Sequence, residues 1–245
     1  MTIDQTVPAA WDEPVGGTPR GTLIVLPGRG ETATTYQRFG TRLSADAYKV
    51  RLVPLDLADV AAARAEIEKL IADESLPSPT VLIGTDTGAT VAATLADELD
   101  VDAAVVVGLA LPASTTTRSW EEEVDARTAC PVHRRVIDED PSFGRGSLGE
   151  PLPDAWSNLT LTAPDKPVLV IHGSADPITP ADDAIAPYAA APMAQVWRVD
   201  GGRHDLLNDL SHRSVAATIV LFLESLRLGP DLPPVLTRVD AAVRG

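Results

Sequence analysis

Short apolar runs alternate with longer amphipathic stretches along this chain, and the alternation sets its architecture. Residues 22–26, 80–83, 103–107 and 167–171 are almost wholly apolar and bounded by turn residues, which predicts strands buried on both faces. Residues 49–54 predict a further strand of mixed character, and 194–199 a last one. Helical periods lie between them. In residues 61–72, Ile67, Leu70 and Ile71 share one face while Glu66 and Lys69 take another. Residues 90–99 are alanine-rich, 181–190 leave room for one helix before the last strand, and 214–226 form a strongly apolar closing helix. This rhythm predicts the α/β class, with a mostly parallel central sheet and helices on both faces.

The rhythm breaks between residues 113 and 163. That segment holds Trp120-Glu-Glu-Glu, Cys130-Pro-Val-His133, a stretch rich in Gly, Pro and Ser, and Trp156. Long excursions in compact domains usually serve a function, so this one reads as a small cap or lid. The core is then made of residues 1–112 and 164–245. The N-terminal residues predict an irregular edge strand or hairpin around 7–11, and a tail follows the Gly-Pro break at 229–230.

Composition narrows the partners. A chain of 245 residues can bury one substantial core. Its formal charge of −15 disfavours nucleic acid and anionic membranes, leaving a small molecule as the expected partner. One cysteine, Cys130, allows neither an intrachain disulfide nor a cysteine-rich metal site. The chain starts without a basic, then apolar, leader, and its apolar runs are too short to cross a bilayer. The cytoplasm is the expected location, and oligomeric state leaves no mark in the sequence.

Chemistry concentrates at strand ends. Val81-Leu-Ile-Gly84-Thr85-Asp86-Thr87-Gly88 has the form of a nucleophile elbow, a strand entering a tight turn and then a helix, with aspartate at the exposed middle position. A second strand ends in His172-Gly173-Ser-Ala-Asp176-Pro-Ile-Thr-Pro180, and the last runs into Gly201-Gly202-Arg203-His204. Elbow residue, acid and histidine thus follow one another in chain order, each just past a strand end, where reacting groups of open α/β sheets gather. Asp205, beside His204, is the weaker candidate for the acid.

Through GTDTG (84–88), HGSADPITP (172–180), GGRH (201–204) and PGRGE (27–31), the chain resembles the α/β-hydrolase superfamily from about residue 21 to 228. The resemblance implies that fold with a short cap and an Asp86–His204–Asp176 triad. It also implies an oxyanion hole from the backbone N–H groups of Arg29, or Gly28, and Thr87. No metal or organic cofactor is expected.

The aspartate selects the reaction. Serine needs a base to attack and suits an acyl carbon, whereas aspartate is already ionised near neutral pH. Its attack on an ester would give an anhydride more reactive than the ester itself. Attack on a saturated carbon bearing a halide, or on an epoxide, gives a stable alkyl ester that His204 and water can open. Resemblance to the haloalkane dehalogenase and epoxide hydrolase branch implies this route. That branch usually has tryptophan after the nucleophile or tyrosines in the cap; here Thr87 follows Asp86, and Tyr36, Tyr48 and Tyr188 all lie outside 113–163. Tyr36, Trp120 and Trp156 are the candidate pocket residues, and Arg29 could meet an anionic substrate at the pocket mouth. Three other accounts stay open. Asp86 could act as a base or electrostatic element, the lineage could be an esterase or thioesterase with serine replaced, or the protein could bind a ligand without consuming it.

Overall fold

The computed structural model describes residues 9–112, 114, 116–156 and 160–237. The start of the expected N-terminal hairpin and residues 238–245 of the tail lie outside them. Its strands are β1 (Ala9–Trp11), β2 (Gly21–Leu26), β3 (Tyr48–Leu52), β4 (Thr80–Thr85), β5 (Ala103–Leu109), β6 (Val168–Gly173) and β7 (Ala194–Val199). They form one seven-stranded sheet in the order β1-β3-β2-β4-β5-β6-β7. Every neighbouring pair is parallel except β1 with β3.

Period-2 alternation divides each central strand between two cores. Leu23 and Val25 of β2 face the layer of α1 (Ala33–Ala45) and α7 (His212–Leu228), where Phe39, Leu43, Ile219 and Phe222 pack. Ile24 and Leu26 face the opposite layer, with Ile67 of α2 (Val60–Ile71) and Val91 and Leu95 of α3 (Asp86–Leu95). The apolar pattern found both layers but passed over α1, whose polar face hides its period.

Residues 113–163 contain α4 (Trp120–Arg127) and α5 (Pro131–Glu139). Pro131 opens α5 at a position whose N–H has no helical partner anyway. The carbonyls of Ala126 and Arg127, at the end of α4, accept bonds from the N–H groups of His204 (3.1 Å) and Asp205 (2.9 Å). The end of α4 is thus fastened to the histidine loop by main chain. A last short helix, α6 (Ala181–Ile185), leads toward β7.

Candidate active site

β4 passes into α3 with no connecting residues, and Asp86 sits at the junction with φ +50°. Left-handed backbone is unfavourable for a side-chain-bearing residue, though aspartate tolerates it better than most. Glycine is required on either side of it. A Cβ on Gly84 would stand 2.1 Å from the Gly88 carbonyl oxygen, and one on Gly88 would stand 2.2 Å from that of Leu26. Any side chain there would push α3 off the sheet.

The turn delivers Asp86 to the two downstream residues. Its Oδ1 lies 3.1 Å from His204 Nε2, and His204 Nδ1 lies 2.8 Å from Asp176 Oδ2. Asp176 is aimed by its own loop, its Oδ1 accepting from the N–H groups of Ile178 (2.8 Å) and Thr179 (3.3 Å). Asp205 instead pairs with His133 at 2.6 Å and accepts from Asn208, so it is not the acid facing His204.

Arg29 completes the arrangement from above. Its backbone N–H (2.8 Å) and Nε (2.9 Å) both donate to Asp86 Oδ2, while Nη2 donates to Oδ1 at 2.8 Å. An alkyl-enzyme route needs an open face on the attacking carboxylate, and in this state both oxygens are engaged. In this state Arg29 faces Asp86, while still forming part of the cavity wall. Its guanidinium turns inward, with side-chain exposure of 8%, because a buried carboxylate attracts the nearest cation.

Charge is strongly organised here. Burial would raise the Asp86 carboxyl, but the Arg29 charge and the bonds from His204 and Arg29 outweigh it and hold the group well below the ordinary range. Asp176 is likewise held low, burial being outweighed by His204 and His172. Burial would lower the His204 imidazole, yet the carboxylates of Asp176 and Asp86 push it up to about 10. The resting histidine is therefore an imidazolium between two carboxylates.

Other expected site residues are placed elsewhere. The Gly28 N–H turns to Glu31 Oε2 (2.8 Å) and the Tyr36 hydroxyl (3.3 Å), since the buried Glu31 carboxylate needs donors. Gly28 thus gives nothing to Asp86. Thr87 stays beside the carboxylate, its hydroxyl 3.5 Å from Oδ2. Tyr36 is buried behind the elbow, its phenol bonded to Glu31 and Thr85. Trp120 packs edge-on to Phe143 at 5.7 Å and beneath Arg145. Trp156 fills the core against the α2–α3 layer. None of these three aromatic residues borders the cavity at the elbow.

Two contributors escape sequence reasoning. His172 Nε2 donates to the Thr179 carbonyl (2.9 Å) and lies 3.0 Å from Asp176 Oδ2, gripping the acid from behind. Its place at the head of the acid motif was the available signal. Arg127 and Glu123, spaced i,i+4 on α4, have side chains 1% and 0% exposed and 2.6 Å apart. Arg127 Nη2 also donates to the Arg29 carbonyl at 2.7 Å, tying α4 to the loop whose amide holds Asp86.

A cavity of about 360 Å³ opens beside the elbow, bordered by Pro27, Arg29, Leu55, Leu57, Thr87 and Ser147. Asp86 does not border it, because Arg29 stands between. A larger groove, about 740 Å³, runs along α1 and α5 and includes none of Asp86, Asp176 and His204. Among the described residues, no three or more His, Cys, Asp or Glu are grouped to hold a metal ion, and no helix is long and apolar enough to cross a membrane.

No protein-family model and no curated protein matches the sequence. Solved structures do match. The monoacylglycerol lipase of Paleococcus ferrophilus superposes with a TM-score of 0.70 at 17% identity, over 89% of this chain and 98% of its own. A soluble variant of the Saccharomyces cerevisiae monoglyceride lipase gives 0.66 at 14%, over 91% and 94%. A lipase-esterase related protein from Clostridium acetobutylicum gives 0.64 at 14%, over 87% and 98%. At these identities the likeness is one of architecture, and it agrees with the sheet order and the elbow: this chain has the α/β-hydrolase fold.

Proposed function

We propose that the protein is a hydrolase of a small organic substrate and works through a covalent alkyl ester on Asp86. The observation that carries this reading is the division of labour between the two Asp86 oxygens. Oδ2 already sits on the Arg29 amide, where the ester carbonyl would need its oxyanion donor, with the Thr87 amide as the proposed second donor. Oδ1 is the attacking atom. As it bonds to the substrate carbon, the carbon–halogen bond, or the epoxide carbon–oxygen bond, breaks and its electron pair departs with the leaving group.

Alkylation also readies the base. Once Asp86 is an ester it no longer carries the negative charge that helps keep His204 protonated, so the imidazolium can lose its proton to solvent. Neutral His204, oriented by Asp176, then takes a proton from water as the water oxygen adds to Asp86 Cγ. Collapse breaks the Cγ–Oδ1 bond, the departing alkoxide takes the proton from His204, and the Asp86 carboxyl ionises again. Tyr36, Tyr48 and Tyr188 are buried away from the cavity, which favours a halide, needing no proton, over an epoxide.

Before any of this, Arg29 Nη2 and the His204 Nε2–H must both release Oδ1. Breaking a buried ion pair without replacement costs about 3–5 kcal/mol, so the substrate itself has to offset it. The test is His204→Gln, incubated with a panel of haloalkanes, haloacids and epoxides. The expected result is substrate mass retained on Asp86, found by intact-protein and peptide mass spectrometry. No adduct across the panel would overturn the reading.

A second reading, an esterase lineage with aspartate in place of serine, is favoured by the names of the matched structures, which are those of lipases and an esterase-related protein. It differs in what Asp86→Ser should do.

A further inference from the structure

We propose that the groove between α1 and α5 binds a soluble organic phosphate. Arg38 and Arg42 hold the phosphate, and Val132 and Val136 cover the aliphatic part. The groove has a volume of about 740 Å³ and none of Asp86, Asp176 and His204 borders it. The inference therefore stands apart from the alkyl-enzyme reading.

The charge on one wall is unmatched. Arg38 and Arg42 lie one turn apart on α1, and both border the groove. Like charges at that spacing repel and weaken a helix. Elsewhere the chain matches its surface arginines, Arg20 with Glu224, Arg51 with Asp12, Arg64 with Glu98 and Arg198 with Asp182. Among the described residues, Arg38, Arg42 and Arg213 have no carboxylate partner, and Arg38 reaches the Asn208 carbonyl at 3.5 Å. Their fields meet at His212, at the start of α7. Burial and then these three charges lower its imidazole, with Asp209 pulling the other way. On a chain of net charge −15 such a positive spot calls for an anion.

The nearby acids do not supply the missing charge. Asp205 is buried and lies 2.6 Å from His133 Nε2. Asp209 accepts from the N–H groups of Ala129 (2.7 Å) and Arg203 (3.0 Å). Asp46, which caps the end of α1, is exposed and pairs with neither arginine.

The opposite wall decides the rest of the ligand. Val132 and Val136 are one turn apart on α5, and Val132 is 51% exposed. An inorganic ion would leave this apolar lip in water, whereas an alkyl chain covers it. More than one guanidinium calls for more than one negative charge. A phosphate monoester carries about −1.5 to −2 near neutral pH and offers three acceptor oxygens, which suit the arginine fork. No Phe, Tyr or Trp borders the groove to stack on a base, so an aliphatic phosphate fits better than a nucleotide. The volume falls within the range of small-ligand sites, roughly 300–1,000 Å³. The overall negative charge repels a phosphate-covered membrane, which leaves a soluble ligand.

The test is isothermal titration of the full chain with hexyl phosphate, with inorganic phosphate and hexan-1-ol as its two halves. Arg38→Gln/Arg42→Gln is the comparison protein. Hexyl phosphate should bind the native chain on the order of tenfold tighter than either half, and the double variant should lose on the order of tenfold or more. Without ligand, the variant should melt no lower than the native chain, because two repelling charges are gone. Equal affinity for hexyl phosphate in both proteins, or none in either, overturns the inference. Hexyl phosphate held no tighter than inorganic phosphate shows an adventitious ion only and overturns it too. So does a lower melting temperature of the free variant, which would give the two arginines a structural task. Vesicles containing phosphatidic acid are titrated alongside. Arginine-dependent vesicle binding without hexyl phosphate binding overturns the soluble ligand in favour of a membrane surface.

Discussion

Arg29 binds Asp86 Oδ2 twice, through its backbone N–H at 2.8 Å and through Nε at 2.9 Å. The amide belongs to the fold and the guanidinium to the resting charge balance, so the two contributions separate in a mutant cycle. Arg29→Met and Asp86→Asn should each cost about 3–5 kcal/mol, since each leaves a buried charge without its partner. The double variant should cost well below the sum. Urea denaturation of the set checks this, and strict additivity would mean the pair is not coupled.

Asp86→Ser separates the two functional readings. On an esterase lineage, serine at this elbow recovers the hydroxyl that His204 and the Arg29 amide can serve, and p-nitrophenyl esters should be hydrolysed where the native chain leaves them intact. Because Arg29 then lacks its carboxylate, Asp86→Ser/Arg29→Met should be the more stable and more active form. Inertness of both variants would fail the esterase lineage.

The protonated histidine sets a pH dependence. His204 titrates near 6.5 when unfolded and at about 10 in the folded chain, so its stabilising contribution is complete below about pH 6.5 and drains away as pH climbs through 10. Asp86 and Asp176 act in the opposite limb: their depressed values give stability that is present above about pH 4 and lost below it. Between pH 7 and 10 the native protein should lose stability on the order of a few kcal/mol relative to His204→Gln. Parallel stability curves for the two proteins would contradict the imidazolium assignment.

His172 acts through Asp176. Replacing it by phenylalanine removes the Nε2–H that reaches both Thr179 and Asp176, and should destabilise the chain by about 1.5–3 kcal/mol, as for bonds to charged groups. A structural role alone would lower stability and nothing else. A positioning role would also move the His204 imidazole titration, read by NMR, toward its ordinary value. An unmoved titration would leave His172 as packing.

Arg127→Met tests whether residues 113–163 form part of the site. The substitution leaves Glu123 buried without its cation and frees the Arg29 carbonyl. Destabilisation of about 3–5 kcal/mol is expected, with amide exchange in residues 28–31 accelerated. If exchange there is unchanged, α4 does not brace residues 28–31.

Strand positions were legible because a strand buried on both faces must be apolar along its whole length, as in β2 and β5, and because the helices after them carry one apolar stripe. The elbow could be read for a related reason: Gly84 and Gly88 stand where any Cβ would meet backbone at 2.1–2.2 Å, so the sequence records the close packing directly. The order of Asp86, Asp176 and His204 followed from the parallel sheet, which brings strand ends to one edge. α1 was missed because its polar residues outnumber the apolar ones that reach the core.

Sequence by itself determined the α/β architecture and the address of the candidate site, because periodicity and forbidden space are local properties. Where long polar side chains turn was decided only in three dimensions. Arg29 reads as a residue of the pocket mouth and Tyr36 and Trp156 as pocket walls, while nothing in the chain marks Glu123 and Arg127 as partners. Folding instead turned the charged ones inward to one another and the aromatic ones into the core. A buried ion pair is chosen by the partners that happen to converge, across 57 residues for Arg29 and Asp86, and no spacing in the chain encodes that meeting.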